Sequence, residues 1–98
     1  MKIYVLVKCI TYDSRGAIGE ILDVQIFPTK DKAKAVIQKR INMEIRHSRL
    51  IKENIRENET ANKNDYYYEV NYDAYDGVGN NDHYQWQIRE FELKEDRQ

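Results

Sequence analysis

A single cysteine, Cys9, excludes an intrachain disulfide. It stands in an apolar run, where a lone cysteine acts as a small hydrophobe rather than a nucleophile. One proline, Pro28, and four glycines leave long stretches without a chain breaker. Two histidines, His47 and His83, offer little for metal chemistry. A site at His83 would have to borrow Asp76 and Asp82, and these show no ligand spacing. Gly77-Val78-Gly79 lacks the third glycine of a dinucleotide fingerprint and opens no helix. An EF-hand loop with Gly77 at its turn would put Tyr72 and Ala74 at ligand positions, so that pattern fails too. No apolar stretch approaches the roughly 20 residues of a membrane helix. The first residues read as a strand from Lys2, interrupted by Lys8, and hold no signal-peptide core. The expectation is a cytoplasmic protein that binds neither membrane nor cofactor. With no nucleophile beside a base and orienting group, it is not expected to be an enzyme.

The stretch from Lys30 to Asn58 is free of glycine and proline. Pro28 supplies a stop and Thr29 an N-cap. Ala33, Val36, Ile37, Ile41 and Ile45 recur at three- and four-residue steps, the spacing of one helix face. Ile51 and Ile55 continue out of phase, with the reset at His47 and Ser48. A helix over this whole span would be roughly 43 Å long, against about 17–20 Å for a typical strand. Its second half, with Leu50, Ile51 and Ile55, would overhang the sheet. A kink near His47 or a homodimer through that half would cover it.

Strand patterns flank the helix. Ile3 to Ile10 alternates, with Ile3, Val5, Val7 and Cys9 on one side and Tyr4, Leu6, Lys8 and Ile10 on the other. Asp13 to Gly16 signals a turn, and Ile21 to Phe27 returns with Leu22, Val24 and Ile26 on its apolar side. Glu59 to Asn64 reads as a polar linker. Tyr66 to Tyr75 forms a third strand, with Tyr66, Tyr68 and Tyr72 on the core side. Asp76 to Asp82 is a loop, and Tyr84 to Leu93 a fourth strand whose alternation slips at Phe91. A bulge near Arg89 and Glu90 would repair the slip.

These elements predict one α+β domain over residues 1–98, with a ββαββ plan. A long helix covers one face of a four-stranded antiparallel sheet. Ile3, Val5, Val7, Leu22, Val24, Ile26, Val36, Ile37, Ile41, Val70 and Trp86 are expected in the core. The other face stays wet, carrying Tyr4, Asp23, Gln25, Tyr67, Glu69, Asn71, Asp73, Tyr75, Gln85 and Gln87.

Charge divides the chain. Lys30 to Asn58 holds nine basic residues against four acidic ones, while Asp65 to Asp96 holds two against nine. Such asymmetry bears on partners, although solvated surfaces alone would account for much of it. The first reading is a protein-binding module whose surface is Tyr67, Glu69, Asp73, Tyr75, Asp76 and Asp82. Tyrosine suits interfaces, with large area and few torsions, and the carboxylates favour a basic partner. The second is nucleic-acid binding through Arg46, Arg49, Lys52 and Arg56, joined by Lys39 and Arg40. It ranks behind, because sheets that stack bases are basic around their rings and this one is acidic.

The small size, the absence of cofactor motifs and the Lys/Asn/Ile/Tyr-rich usage resemble accessory proteins of phages and mobile elements, among them anti-CRISPR proteins. That resemblance implies an inhibitor of a host defence complex that handles nucleic acid. No motif is shared, so no residue role carries over.

Overall fold

The first and last strands of the chain lie side by side at the middle of the sheet. The structure, a computed structural model, describes residues 1–12, 18–46, 54–62, 65–75, 79 and 81–94. In chain order the elements are β1 (Lys2–Tyr12), β2 (Ile18–Phe27), α1 (Lys30–Arg46), β3 (Arg56–Asn62), β4 (Asp65–Tyr75) and β5 (Asn81–Glu92). The strands form one sheet in the order β2-β1-β5-β4-β3, and every neighbouring pair is antiparallel. The fold is α+β, with five strands among the described residues rather than the four expected. No helix among them is long and apolar enough to cross a membrane.

Helix α1 starts where the sequence places it. The Lys32 amide donates to the Thr29 hydroxyl at 3.3 Å, so Thr29 satisfies one of the free amides of the first turn. Asp31 in the first turn and Arg46 in the last complement the helix dipole. Ala33, Ile37 and Ile41 are buried along one face, and Val36 and Ile45 pack beside them.

The end of the helix differs from the expectation. The 17 residues of α1 span about 26 Å. The 11 residues of β1 and 12 of β5 reach roughly 36–40 Å, so the sheet is longer than the helix. Ile55 packs against the core of its own chain. Arg56 to Asn62, expected as helix end and linker, is instead the edge strand β3. It carries no apolar alternation; its backbone ladder to β4 holds it in place. The turn at residues 13–16, the phase reset at His47 and Ser48, and Leu50 and Ile51 lie outside the described residues.

Opposed residues on neighbouring strands share a face. The helix-covered face carries Tyr66, Tyr68, Val70 and Tyr72 of β4, Trp86 and Ile88 of β5, and Leu6 of β1, all buried with the helix residues in one cluster. The aromatic side chains order that cluster. Trp86 Nε1 donates to the Tyr72 hydroxyl at 2.9 Å. Tyr72 stacks on Tyr84 at 5.4 Å, and Tyr4 meets Tyr66 edge-on at 6.0 Å. Lys30 and Lys34 of α1 lie over the rings of Tyr66 and Tyr68, at 4.9 and 4.7 Å. Lys34 also pairs with Glu59 of β3, which accepts from the Tyr66 hydroxyl at 3.0 Å.

The two N-terminal strands are turned over relative to expectation. Leu6, Lys8 and Ile10 oppose Ile88, Trp86 and Tyr84 of β5, so the even-numbered residues of β1 face the helix. Leu6 and Ile10 are buried. Tyr4, expected on the wet face, packs against the core. Lys8 is accommodated because its ammonium lies over the Trp86 and Tyr84 rings, at 4.8 and 5.4 Å. Burial still lowers its pKa. Ile3, Val5, Val7 and Cys9 therefore point to the open face. The pairing with β2 carries Val24 and Ile26 there too, 55 and 65% exposed, and puts Asp23 and Gln25 on the helix side. Leu22 is the extra residue where Lys8 opposes Asp23 but Cys9 opposes Ile21. It is 44% exposed. The bulge lies there and not at Arg89, since β5 runs in continuous register from Glu92 to His83 against β1. Phe91 accordingly sits on the open face opposite Ile3, half exposed.

Candidate functional site

The open face has two halves of different chemistry. Over β2 and β1 it is apolar. Over β5, β4 and β3 it is polar, and this half holds the best-defined side-chain arrangement on the surface. Register places Tyr67, Glu69, Asn71 and Asp73 of β4 directly beside Arg89, Gln87, Gln85 and His83 of β5. Period-two alternation puts all eight on one side of the sheet.

Glu69 is the hub. Its carboxylate accepts from the Tyr67 hydroxyl, from Asn71 Nδ2 at 2.9 Å and from Gln85 Nε2 at 3.3 Å. Gln87 Nε2 donates to Gln85 Oε1 at 2.7 Å. At one end the Arg89 guanidinium covers the Tyr67 ring at 5.1 Å. Tyr67, Arg89, Thr60 and Asp65 line a shallow depression there. Burial, and then the bond to Glu69, push the Tyr67 hydroxyl pKa up to about 12, so it remains a neutral donor at physiological pH.

At the other end His83 Nδ1 lies 3.0 Å from Asp73 Oδ1, and Nε2 lies 3.2 Å from Asn71 Oδ1. Both ring nitrogens face oxygen acceptors; a protonated ring donates to both and a neutral ring to one. Asp73 is about half exposed (49%), with His83 at 37%, so this carboxylate is the more accessible of the row. Thr11 of β1 flanks His83 on its other side. The imidazole turns both nitrogens toward β4, away from that hydroxyl. A base and an orienting carboxylate thus stand together. No group of three His, Cys, Asp or Glu side chains able to hold a metal occurs among the described residues.

Of the acidic surface expected from sequence, Tyr67, Glu69 and Asp73 are brought together. Asn71, Gln85 and Gln87, assigned to the wet face, complete the network. Tyr75 closes β4 opposite Asn81, with its backbone alone described, and Asp76 lies outside the described residues. Asp82 leaves the set. It opposes Ala74 on the helix side and is 8% exposed. His83 and Arg89 were missed as site residues. Their positions one strand across from Asp73 and Tyr67 were the available signal, and the register needed to use it is tertiary.

Of the basic set, the two described residues, Arg46 and Arg56, stand on different elements. Arg46 is exposed at the end of α1, with Lys39 and Arg40 nearby. Lys39 and Arg40 line a groove with Gln25, Val36 and Met43, and Lys39 and Arg46 border a second one. Arg56 opens β3 opposite Asn71, on the sheet and not on the helix. Arg49 and Lys52 lie outside the described residues. No protein-family model, curated protein or solved structure matches the chain.

Proposed function

We propose that this protein is a non-enzymatic binding module whose polar, tyrosine-bearing half-face engages a basic protein surface through the carboxylates of Glu69 and Asp73. The observation that carries the reading is the row from Tyr67 through Glu69 and Asn71 to Asp73. It lies on β4 and is tied to its neighbour β5 by hydrogen bonds. Such a row is fixed before binding, so little side-chain entropy is lost when a partner docks. Glu69 already accepts three bonds. Asp73 is the carboxylate positioned to receive an arginine or lysine, with charge-assisted geometry. Tyr67 contributes ring area at the opposite end of the row, roughly 20 Å along the strand, where the Arg89 guanidinium covers it.

The resemblance to small accessory proteins of phages and mobile elements gives the partner a class. It is a host defence complex that handles nucleic acid, whose basic groove an acidic surface would occupy. This makes the protein an inhibitor of the anti-CRISPR kind acting in the cytoplasm. The nucleic-acid reading stays second: among the described residues Arg56 stands on β3 rather than on the helix that carries Lys39, Arg40 and Arg46.

The test is isolation of the tagged protein from cells that naturally carry it, with and without nuclease treatment. A stoichiometric basic protein retained after nuclease supports the reading. Nucleic acid bound directly, with every protein lost on nuclease treatment, overturns it.

A further inference from the structure

The apolar half of the open face is a second surface, with chemistry unlike the first. Ile21, Val24 and Ile26 of β2 are 67, 55 and 65% exposed, and Phe91 of β5 is 50% exposed. Val5 and Val7 lie between them by register. The charged residues of β2 do not reach this face, since Glu20 and Asp23 pair with Ile10 and Lys8 of the helix side. The exposed apolar area comes to several hundred Å², in the range of the largest patch on a typical monomer, which is often a functional surface. The opposite edge shows how this sheet treats strands that face water: β3 carries Arg56, Glu57 and Glu59.

We propose that a second copy of this chain covers the apolar half, packed sheet against sheet. Two features select that occupant. The patch carries no charge on β1 or β2, and Arg89, which opposes Val5 at its border, lies over the Tyr67 ring on the far side; such apolar, charge-depleted surfaces are the mark of homodimer interfaces. The layout of the sheet also admits a two-fold arrangement that keeps like charges apart. With the axis between the two sheets and along the strands, above the β1–β2 boundary, each β2 lies on the other copy's β1. The acidic rows on β4 then fall outside the interface, at opposite flanks of the dimer. An axis across the strands would set β4 on β4 and bring Glu69 and Asp73 against their own copies. Two sheets packed in the first way lie about 10 Å apart, with strands within about 30° of alignment. The inference does not depend on the acidic half binding anything, and it leaves that half accessible in both copies.

Sedimentation velocity on the full chain, from low micromolar to several hundred micromolar, reads the outcome. The wild type is expected to sediment as a dimer over most of that range. Val24→Lys with Ile26→Lys puts two charges at the centre of the patch, at positions exposed in one copy. It is expected to give a monomer with an unchanged circular dichroism spectrum. Val24→Thr with Ile26→Thr keeps the branched shape for strand formation and is expected to raise the dimer Kd by about tenfold or more; it gives the reading if the lysine pair fails to fold. Arg40→Glu with Arg46→Glu, on the helix, is expected to leave the dimer intact. A wild type that is monomeric throughout overturns the proposal. So does a dimer whose affinity neither β2 pair changes.

Discussion

The indole N–H of Trp86 donates to the hydroxyl of Tyr72 at 2.9 Å inside the core. Both side chains are buried, at 2 and 0% exposure, and they stand on neighbouring strands. Tyr72→Phe keeps the ring and removes the acceptor, leaving a buried donor unpaired. The expected cost is about 1–3 kcal/mol, which lowers the thermal midpoint by roughly 4–8 °C per kcal/mol in a domain of this size. Differential scanning calorimetry measures it, and an unchanged midpoint would remove this bond from the account of the core.

Alkaline pH should unfold the protein through its tyrosines. Tyr4, Tyr66, Tyr67, Tyr68 and Tyr72 all have raised pKa values, in each case chiefly through burial. For Tyr67, Tyr68 and Tyr72 the value is pushed up to about 12, against about 10 in an unfolded chain. A group whose pKa is higher when folded contributes stability that is complete below the unfolded value. That stability is lost as pH rises toward the folded value. The window is therefore about pH 10 to 12. Lys8, whose pKa burial lowers, opposes the trend, and Lys2, whose pKa its bond to Glu90 raises, joins it. Tyrosinate absorbance should rise in two stages, the later coinciding with loss of the circular dichroism signal. Eight tyrosines titrating together near pH 10 with the fold intact would contradict it.

The N-cap gives a local test. Thr29→Ala removes the acceptor that Lys32 uses and is expected to cost about 0.5–2 kcal/mol by chemical denaturation. Thr29→Ser, which keeps the hydroxyl, should recover most of it. Equal losses in the two variants would show that the hydroxyl is not what matters there.

Leu6 and Leu22 separate the observed core from the one the alternation suggests. Leu6→Ala should cost about 2–5 kcal/mol, because Leu6 is fully buried against the helix cluster. Leu22→Ala, at the bulge, should stay within about 0.5 kcal/mol. Denaturation midpoints decide between them, and the reverse order would restore the apolar side of β2 to the core.

That contrast shows what was legible in the chain. The first half of the helix was readable because Ala33, Ile37 and Ile41 follow its period and Thr29 caps it. Tyr66, Tyr68, Tyr72 and Trp86 were readable as core from strand alternation alone. The end of the helix was not, because basic and apolar residues continue past Arg46 without a breaker. Strand β3 was not, because Arg56 to Asn62 is polar on both sides and owes its form to pairing with β4. The facing of β1 was ambiguous in principle. Both of its sides are apolar except at Lys8, and a lysine inside is acceptable only if the Trp86 and Tyr84 rings are known to await it. Tyr67, Glu69 and Asp73 were found by alternation; His83 and Arg89 required the register between β4 and β5.

The central claim is that the acidic half of the open face, and not the helix, holds the partner. Binding of the captured partner by Asp73→Lys and by Arg40→Glu with Arg46→Glu, each first shown to be folded, tests it most directly. The account predicts that Asp73→Lys weakens binding by roughly 2–5 kcal/mol if the aspartate is buried in the complex, or slows association in a salt-dependent way if it lies at the rim. The arginine variant should bind as the wild type does. Loss of binding in the arginine variant, with Asp73→Lys unaffected, would contradict the account and place the functional surface on the helix.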